Sequence, residues 1–371
     1  MQKKIIALAV AGLASTAAFA QSNVTIYGVA DVGQAWVKSS SANNGDNQRT
    51  VGRLDSNSSY IGFKGAEALG NGLTAVFQFE TAVSADEGGF GRGRDTYAGL
   101  AGGFGTVAAG RLTHPLREMG VKVDILPGDA GIGTVNSVTG VIAGIKTGAD
   151  DRANNAVAYI SPTFGGGFSV TAAWVNGENK TNGNDRVDER AWQIAGKYDN
   201  GPLFVGLGYH QTKDNVTNDG FIISGQGLDA RVWRLAAVYT APFGTKFSAL
   251  YDDTKVKKAA ALFGGDGAIK RGAWSLGAAH TFGANTIGLQ YGQSSRTSVS
   301  NADNLRDKAK IWTLGYQYAL SKRTMLQARY SQLTNGKEGN FNFYNNSVAN
   351  GAYPDDNAKY SGFMVGMRHS F

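Results

Sequence analysis

The sequence predicts an all-β protein, a 16-stranded antiparallel β-barrel that crosses a membrane, and three observations support this fold class. Runs of alternating apolar and polar residues recur along the chain, each roughly ten residues long, which is the length a tilted strand needs to cross a bilayer. The links between the runs alternate between short and long. Tryptophan and tyrosine lie at the ends of the apolar stripes, where a membrane barrel has its aromatic girdles.

The first residues have the pattern of a secretory signal peptide. Lys3 and Lys4 precede an apolar run that ends in the small-x-small sequence Ala18-Phe19-Ala20, and these are the parts of a cleavable export signal. We therefore expect residues 1–20 to be removed and residues 21–371 to form the barrel. A membrane anchor is the alternative, but the apolar stretch is barely long enough to span a bilayer.

The composition excludes several classes of protein. The chain has no cysteine, so it forms neither a disulfide framework nor a thiolate metal site. Its formal net charge is +7, or 7 − 2 = +5 once Lys3 and Lys4 are removed, because residues 1–20 contain no acid. This basic balance comes without a clustered run of Lys and Arg, so nucleic acid is not an expected partner of an exported chain.

Two aromatic series repeat with a period of about 40 residues, as expected of one repeated hairpin unit. The tryptophans of the first series are 41, 41 and 38 residues apart, and the tyrosines of the second are 42, 40 and 39 apart. The two series are Trp192, Trp233, Trp274 and Trp312, and Tyr209, Tyr251, Tyr291 and Tyr330. Entering and returning strands meet at one rim, so both series are predicted to mark the external girdle.

Each strand has one apolar face that ends in aromatics and one face of amides, charges and glycine. A soluble sandwich would bury the apolar face, whereas a membrane barrel would turn it towards lipid and line a wet lumen with the polar face. Strand length, girdles and link lengths favour the barrel. Sixteen strands leave an aqueous channel rather than a core filled with side chains.

The predicted strands, taken in order, form a closed barrel with both termini at the same rim, because their number is even. Pairing of the first strand with the last removes both sheet edges. The strands begin at about Val24, Ser59, Gly72, Arg94, Thr106, Ala153, Gly167, Glu189, Pro202, Asp229, Thr245, Arg271, Ala284, Lys308, Arg323 and Lys359. Short breaks such as 69–71 and 200–201 are predicted to face the periplasm. Long polar links are predicted outside, at 38–57, 112–151, 212–228, 297–307 and 334–358.

Several segments, in this order, carry a resemblance to a known family: VTIYGVADVG, YIGFKGAEALGNGLTAVFQFE, TYAGLAGGFGTVAAGR, RANNAVAYISP and VGMRHSF. Together they resemble the general diffusion porins of Gram-negative bacteria, particularly the neisserial and β-proteobacterial branch. The resemblance implies a homotrimer in the outer membrane, in contact with lipid and lipopolysaccharide. Each barrel would form a water-filled pore for small hydrophilic solutes and ions, without a cofactor. The third external loop, about 112–151, would fold inward, and the terminal Phe371 resembles the signal that outer-membrane assembly machinery recognises.

The resemblance also implies opposed charges across the pore constriction. The matching basic wall positions are Lys64, Arg94, Arg111 and Arg152, and the matching loop acids are Glu118, Asp124 and Asp129. Tyr60 departs from the family pattern, which often has arginine there, so the basic cluster is expected to be one charge smaller.

Alternation places Lys64 on the lumen side. Strict alternation places Arg111 outside, unless Gly110 hosts a bulge that turns it inward. The remaining lumen-facing charges are expected to be solvated wall groups; they are Asp31, Glu80, Arg234, Arg329 and Arg368.

A passive porin with a mild anion preference is the function that these features predict. A substrate-specific channel is the first alternative, but the lumen-facing aromatics, Tyr27, Tyr60 and Phe204 among them, form no continuous row. A non-transporting surface barrel is the second. No enzyme is expected: the G-x-G-x-x-A sequence at 103–108 lies in a hairpin rather than before a helix, and the four histidines lack zinc-ligand spacing.

Overall fold

The structure is a computed structural model that describes residues 23–371 apart from 44, 46, 126–130, 182–186, 215, 219–220, 224–227, 345 and 349–355. Within these residues, sixteen strands form one closed antiparallel barrel. They are β1 Asn23–Ser40, β2 Val51–Ser56 with Tyr60–Gly70, β3 Leu73–Val83, β4 Phe90–Gly102, β5 Gly105–Thr113, β6 Arg152–Ile160, β7 Phe168–Thr181, β8 Val187–Asn200, β9 Leu203–Lys213, β10 Asp229–Thr240, β11 Thr245–Lys257, β12 Ile269–Phe282, β13 Asn285–Ser294, β14 Ala309–Ala319, β15 Thr324–Asn335 and β16 Lys359–Ser370. The predicted signal peptide lies outside the described residues.

The barrel closes between its first and last strands. β1 pairs with β16 from Val29 opposite Ser370 to Ser40 opposite Lys359. The terminal Phe371 continues this pairing, because its backbone exchanges two hydrogen bonds with Gly28, at 3.1 and 3.2 Å. Both edges of the sheet are therefore paired, and the predicted fold class is confirmed.

Two strand boundaries differ from the sequence prediction. Val51–Ser56 was expected to be part of a long link, but it pairs with β1, with Val51 opposite Val37. β4 was expected from Arg94 and begins at Phe90. In both places the strand extends into polar or glycine-rich sequence, which lacks the apolar stripe on which the prediction relied. The other predicted strands begin within two residues of the observed ones.

The aromatic series form one girdle, as predicted. Trp233 lies opposite Tyr209, with ring centroids 4.6 Å apart, and the rings of Trp274 and Tyr291 are 5.4 Å apart. Trp233 is exposed on the outer face. Indole and phenol rings are amphipathic, so a ring of such pairs marks the level where lipid meets water.

The third loop is the longest link and has structure of its own. It contains the helix α1 (Pro115–Val123), a 3₁₀ turn (Val135–Ser137) and a hairpin of Val141–Ile142 with Ile145–Lys146. Proline at the helix start and Lys122 in the last turn are both favourable helix-end features. The hairpin is extended by two short strands, Val216–Asn218 and Phe221–Ile223, from the link between β9 and β10. No helix in the described part of the chain is long and apolar enough to cross a membrane.

Candidate channel constriction

The third loop lies inside the barrel and packs against one side of the wall. Met119 of α1 is fully buried, in a cluster with Phe204 of β9 and Leu250 of β11. Further along the loop, Ile132 is buried in a cluster with Leu333 of β15. Among the described residues, the apolar clusters that contain loop residues include none from β3 or β4. The loop thus covers one side of the lumen and leaves the other side, here called the open wall (Tyr60–Gly70 of β2, with β3 and β4), without this packing.

Glycine on the covered wall lets the loop approach closely. A Cβ atom added at Gly208 of β9 would lie 2.6 Å from Leu116 Cδ1 of α1, and one added at Gly277 of β12 would lie 2.6 Å from Ile125 Cγ2. Both distances are shorter than any van der Waals contact between carbon atoms. These two glycines therefore make room for the loop.

Arg234 of β10 fastens the loop to the wall. Its side chain is fully buried. Nε and Nη2 donate to the two carboxylate oxygens of Asp252 on β11, at 2.7 and 2.6 Å, and Nη2 donates to Asp150 Oδ2 of the loop at 2.9 Å. Nη1 donates to the Leu116 carbonyl at 2.9 Å. One guanidinium thus joins both ends of the loop to two strands through charge-assisted hydrogen bonds.

Two of the predicted loop acids lie against the covered wall. Glu118 accepts a 2.5 Å hydrogen bond from Lys197 of β8 and remains 42% exposed. Asp124 is buried and accepts a 3.2 Å hydrogen bond from the backbone of Val135. Lys246 of β11 donates to the Asp124 carbonyl at 2.6 Å. The third predicted acid, Asp129, lies outside the described residues.

On the open wall, two predicted cations lie over tyrosine rings. Lys64 Nζ is 4.6 Å from the ring centroid of Tyr27, and the Arg94 guanidinium is 4.4 Å from that of Tyr60. Glu80 lies between them, with its carboxylate 3.3 Å from Arg94 Nε and 2.7 Å from the Tyr27 hydroxyl. Tyr60, the departure from the family pattern, therefore supports a neighbouring cation by a cation–π contact.

Arg152 is placed at the start of β6, where the loop rejoins the barrel. Its Nε lies 3.3 Å from Asp95 Oδ1 of β4. Thr113 Oγ1 donates to the same carboxylate oxygen at 2.7 Å. Arg152 is thus anchored beside the open wall by an acid that the sequence reasoning did not identify.

Arg111 is held at a strand irregularity. The register of β5 against β6 shifts directly after Gly110, whose φ of +147° favours glycine. Arg111 lies opposite Thr96 of β4. Its guanidinium donates to the Gly93 carbonyl and to Asn154 Oδ1, both at 2.6 Å. These bonds do not join it to the cluster around Lys64 and Glu80.

Four of the wall charges that were expected to be solvated are instead buried. They are Asp31, Glu80, Arg234 and Arg329, which are at most 8% exposed. Arg234 is covered because the loop packs onto it, and Asp31 accepts a 2.8 Å hydrogen bond from Arg368 Nη1. Alternation placed these side chains on the lumen face, but it carries no information about which part of that face the loop covers.

The loop also buries a histidine beside a second one. His114 precedes α1, and its Nδ1 lies 2.8 Å from the Gly148 carbonyl. The ring of His210 on β9 is 5.6 Å away, centroid to centroid, and its Nε2 lies 2.8 Å from the Thr147 carbonyl. Burial lowers the pKa of His114, and the hydrogen bond with Gly148 opposes this only in part. Both imidazoles belong to the seam between loop and wall.

A closed 16-stranded barrel with external aromatics and an in-folded third loop defines a membrane channel of the porin class. A family model described as Gram-negative porin matches residues 7–338, and the chain belongs to this family. It is 35% identical to outer membrane porin protein 32 of Delftia acidovorans over 381 residues, covering both chains fully. It is 28% identical to the major outer membrane protein P.IB of Neisseria meningitidis serogroup B over 386 residues, again covering both chains fully.

Solved structures agree with this assignment. The anion-selective porin from Comamonas acidovorans superposes with a TM-score of 0.76 at 30% identity, covering 95% of this chain and all of the other. OmpT of Vibrio cholerae superposes with a TM-score of 0.67 at 15% identity, which supports the fold alone. The protein is therefore a multi-pass β-barrel of the Gram-negative outer membrane that forms a diffusion channel.

Proposed function

We propose that the channel passes small hydrophilic solutes and ions without a specific substrate and mildly prefers anions. The main support is that the acids on the loop side of the constriction are neutralised or buried, whereas the cation Lys64 on the opposite side is not paired with an acid in the described part of the chain. On the loop, Glu118 is neutralised by Lys197 and Asp124 is buried. On the open wall, Lys64 has no carboxylate within 4 Å among the described residues, and the cluster of Lys64, Arg94 and Glu80 has a formal net charge of 2 − 1 = +1. A related protein, the porin from Comamonas acidovorans, is described as anion-selective.

In this proposal Lys64 and Arg94 are the main basic residues of the pore wall, and Arg152 and Arg111 contribute less. A cation on a low-dielectric wall attracts permeating anions and repels permeating cations. Lys64 contributes a full charge, whereas Arg94 shares its charge with Glu80. Removal of Lys64 should therefore reduce the anion preference more than removal of Arg94.

Reversal potentials in a salt gradient across a planar bilayer test the proposal. The wild-type channel should select for chloride over potassium, and Lys64→Gln should weaken that selection. Lys322→Gln is the matched control, because Lys322 is an exposed lysine in the short turn between β14 and β15. A cation-selective wild-type channel, or equal effects of the two substitutions, would refute the assigned role of the open wall.

We also propose that the assembled form is a homotrimer that lacks residues 1–20 and contacts lipid and lipopolysaccharide. No cofactor or enzymatic activity is part of the proposal. The closing pair between Phe371 and Gly28 makes the last residue part of the sheet, which supports its role as the signal for the assembly machinery. Deletion of Phe371 should reduce the amount of folded trimer in the outer membrane, measured by heat-modifiable migration on gels. Unchanged trimer yield would refute this role.

A substrate-specific channel is a second candidate, because aromatic rings gather on the open wall. Tyr27 and Tyr60 are in edge contact, with centroids 6.2 Å apart, and each lies beneath a cation. Such a surface suits a planar organic anion. Block of the ion current by low concentrations of an aromatic carboxylate would favour this candidate over a general channel.

A further inference from the structure

The neck of the third loop, where the chain leaves β5 at Thr113 and rejoins the barrel at Arg152, holds a carboxylate that the proposed function does not include. Thr113 and Arg152 are paired directly across β5 and β6. Asp95 of β4 lies beside both of them. Its two carboxylate oxygens are 2.7 and 3.0 Å from Thr113 Oγ1, and Oδ1 is 3.3 Å from Arg152 Nε. One acid therefore contacts both ends of the loop.

A β-bulge in β4 turns Arg94 and Asp95, which are consecutive in the sequence, towards the same face of the wall. Tyr97 faces the lumen, because its hydroxyl donates at 3.4 Å to Gln78 Oε1, and Gln78 in turn donates to Glu80 Oε1 at 3.0 Å. Asp95 lies two residues before Tyr97 and shares its face, whereas strict alternation would turn Arg94 outward. The register of β3 against β4 shifts here, so that Glu80 lies opposite both Arg94 and Asp95, and such an extra residue re-aims a side chain. The bulge therefore places a cation and an acid side by side on the lumen face.

Asp95 and Arg152 remain in contact with water. Their side chains are 22% and 13% exposed, whereas Arg234, which fastens the loop, is fully buried. A charge that borders a water-filled lumen acts on permeating ions through the potential it creates there. Two opposite charges so close together largely cancel this potential at greater distances. Arg152 therefore attracts anions only weakly while Asp95 is ionised.

A count of the charges indicates how much depends on this one acid. The charged side chains that border the lumen around these contacts are Lys64, Arg94, Arg152, Glu80 and Asp95. Their formal net charge is 3 − 2 = +1. Loss of the Asp95 charge would raise it to 3 − 1 = +2, which doubles the positive excess on this side of the lumen.

We propose that Asp95 is a specificity-determining residue of the channel, and that its carboxylate keeps the anion preference mild by offsetting Arg152. This inference rests on the proposed anion preference and names the acid that limits it. Asp95→Asn removes the charge but keeps a carbonyl oxygen that accepts the hydrogen bond from Thr113. The substitution therefore changes the potential in the lumen while the neck of the loop stays bonded.

A purely structural role for Asp95 is the alternative, since this acid also ties the two ends of the loop together. The two roles differ in what an uncharged change at the neck would do. Thr113→Val removes the hydroxyl that contacts Asp95 and leaves every charge in place. If Asp95 only holds the loop, Thr113→Val and Asp95→Asn should both alter the size and steadiness of the current. If its charge acts on ions, Asp95→Asn should change the reversal potential and Thr113→Val should not.

Reversal potentials in a potassium chloride gradient across a planar bilayer provide the test. The variants compared with wild type are Asp95→Asn, Arg152→Gln, the double variant Asp95→Asn/Arg152→Gln, and Thr113→Val. Asp253→Asn is the matched control, because Asp253 is an exposed aspartate on the outer face of β11, next to the buried Asp252. Each protein is first checked for folding by heat-modifiable migration, and each is measured at low and at high ionic strength.

Asp95→Asn should shift the reversal potential towards that of chloride. Arg152→Gln should shift it towards that of potassium, since Asp95 then lacks its counter-ion. The double variant should lie close to wild type, because it removes one charge of each sign, and Thr113→Val and Asp253→Asn should keep the wild-type value. All the shifts should shrink at high salt, where the screening length falls to about 3 Å at 1 M.

An unchanged reversal potential in Asp95→Asn would overturn the proposal, as would an equal shift in Thr113→Val. If Asp95→Asn does not fold, an unchanged reversal potential in Arg152→Gln has the same meaning. A cation-selective wild-type channel would refute the proposed anion preference instead. In that case a shift of Asp95→Asn towards chloride would still identify Asp95 as a determinant of selectivity, so the two failures are distinguishable.

Discussion

Replacement of Arg234 by alanine should release the third loop from the barrel wall. The guanidinium lies between the carboxylates of Asp150 and Asp252, and all three side chains are buried. Without it, two acids face each other in a site that water does not reach, and the Leu116 carbonyl loses its donor. Protonation of one acid relieves part of the repulsion, and movement of Asp150 away from the wall relieves the rest.

The expected effect is large because the pair is buried. Removal of one partner from a buried ion pair costs about 3–5 kcal/mol. If that cost is relieved by local opening of the loop, the population of the open form rises roughly 100- to 4000-fold. Arg231→Ala is the matched control, since Arg231 lies on the same strand, faces outward and makes no ion pair within 4 Å among the described residues.

Limited trypsin digestion of the folded protein measures this opening. The bond after Arg117 is protected in the closed loop, because Arg117 is only 6% exposed. Arg234→Ala should be cut there much faster than wild type or Arg231→Ala, with the barrel still folded by heat-modifiable migration. Single-channel recordings should show more frequent current fluctuations. Equal protection of Arg117 in all three proteins would refute the view that Arg234 fastens the loop.

Further predictions concern selectivity, packing and pH. Glu80→Gln should leave Arg94 without its counter-ion and raise the chloride-to-potassium permeability ratio, because the wall then carries one more uncompensated positive charge; a lower ratio would contradict this. Gly133→Ala should lower the thermal unfolding midpoint strongly, since its Cβ would overlap Ser331 Oγ, whereas Gly166→Ala, also at positive φ but in open space, should lower it less. His114 has its pKa lowered by burial from an ordinary value of 6.5, so the closed loop is fully stable above that pH and weakens as pH falls below it. Acid-induced current noise should therefore be smaller in His114→Gln than in wild type. Equal noise in the two proteins would show that His114 is not the group whose protonation opens the loop.

The alternation of apolar and polar residues predicted the barrel well, because each strand repeats it and can be recognised without reference to the neighbouring strands. The pattern failed where a strand extends beyond the bilayer. Val51–Ser56 and the first residues of β4 do not face lipid, so their sequence does not need an apolar face. Helix α1 was not predicted either. Its buried face is formed by contacts with β9 to β11, and these depend on how the loop folds back.

The constriction was only partly predictable, for a physical reason that individual residues illustrate. Lys64 could be placed in the lumen because its strand is regular. Arg94 was named from the family resemblance, and it meets Glu80 only because the pairing of β3 with β4 is irregular after Phe79. Arg234 and Asp150 are 84 residues apart in sequence, and no periodic signal links a strand residue to a loop residue at that distance.

The charges around the loop therefore divide into two sets with different tasks. Arg234, Asp150 and Asp252 are buried and fix where the loop lies, so they determine how much of the lumen stays open. Lys64 and Glu80 lie on the open wall, and we propose that they determine the sign of the potential that an ion meets. If this division is correct, Arg234→Ala changes the size and steadiness of the current with little change in reversal potential, and Lys64→Gln does the reverse. If a substitution in either set changed the current and the reversal potential equally, the loop position and the ion selectivity would not be controlled by separate residues.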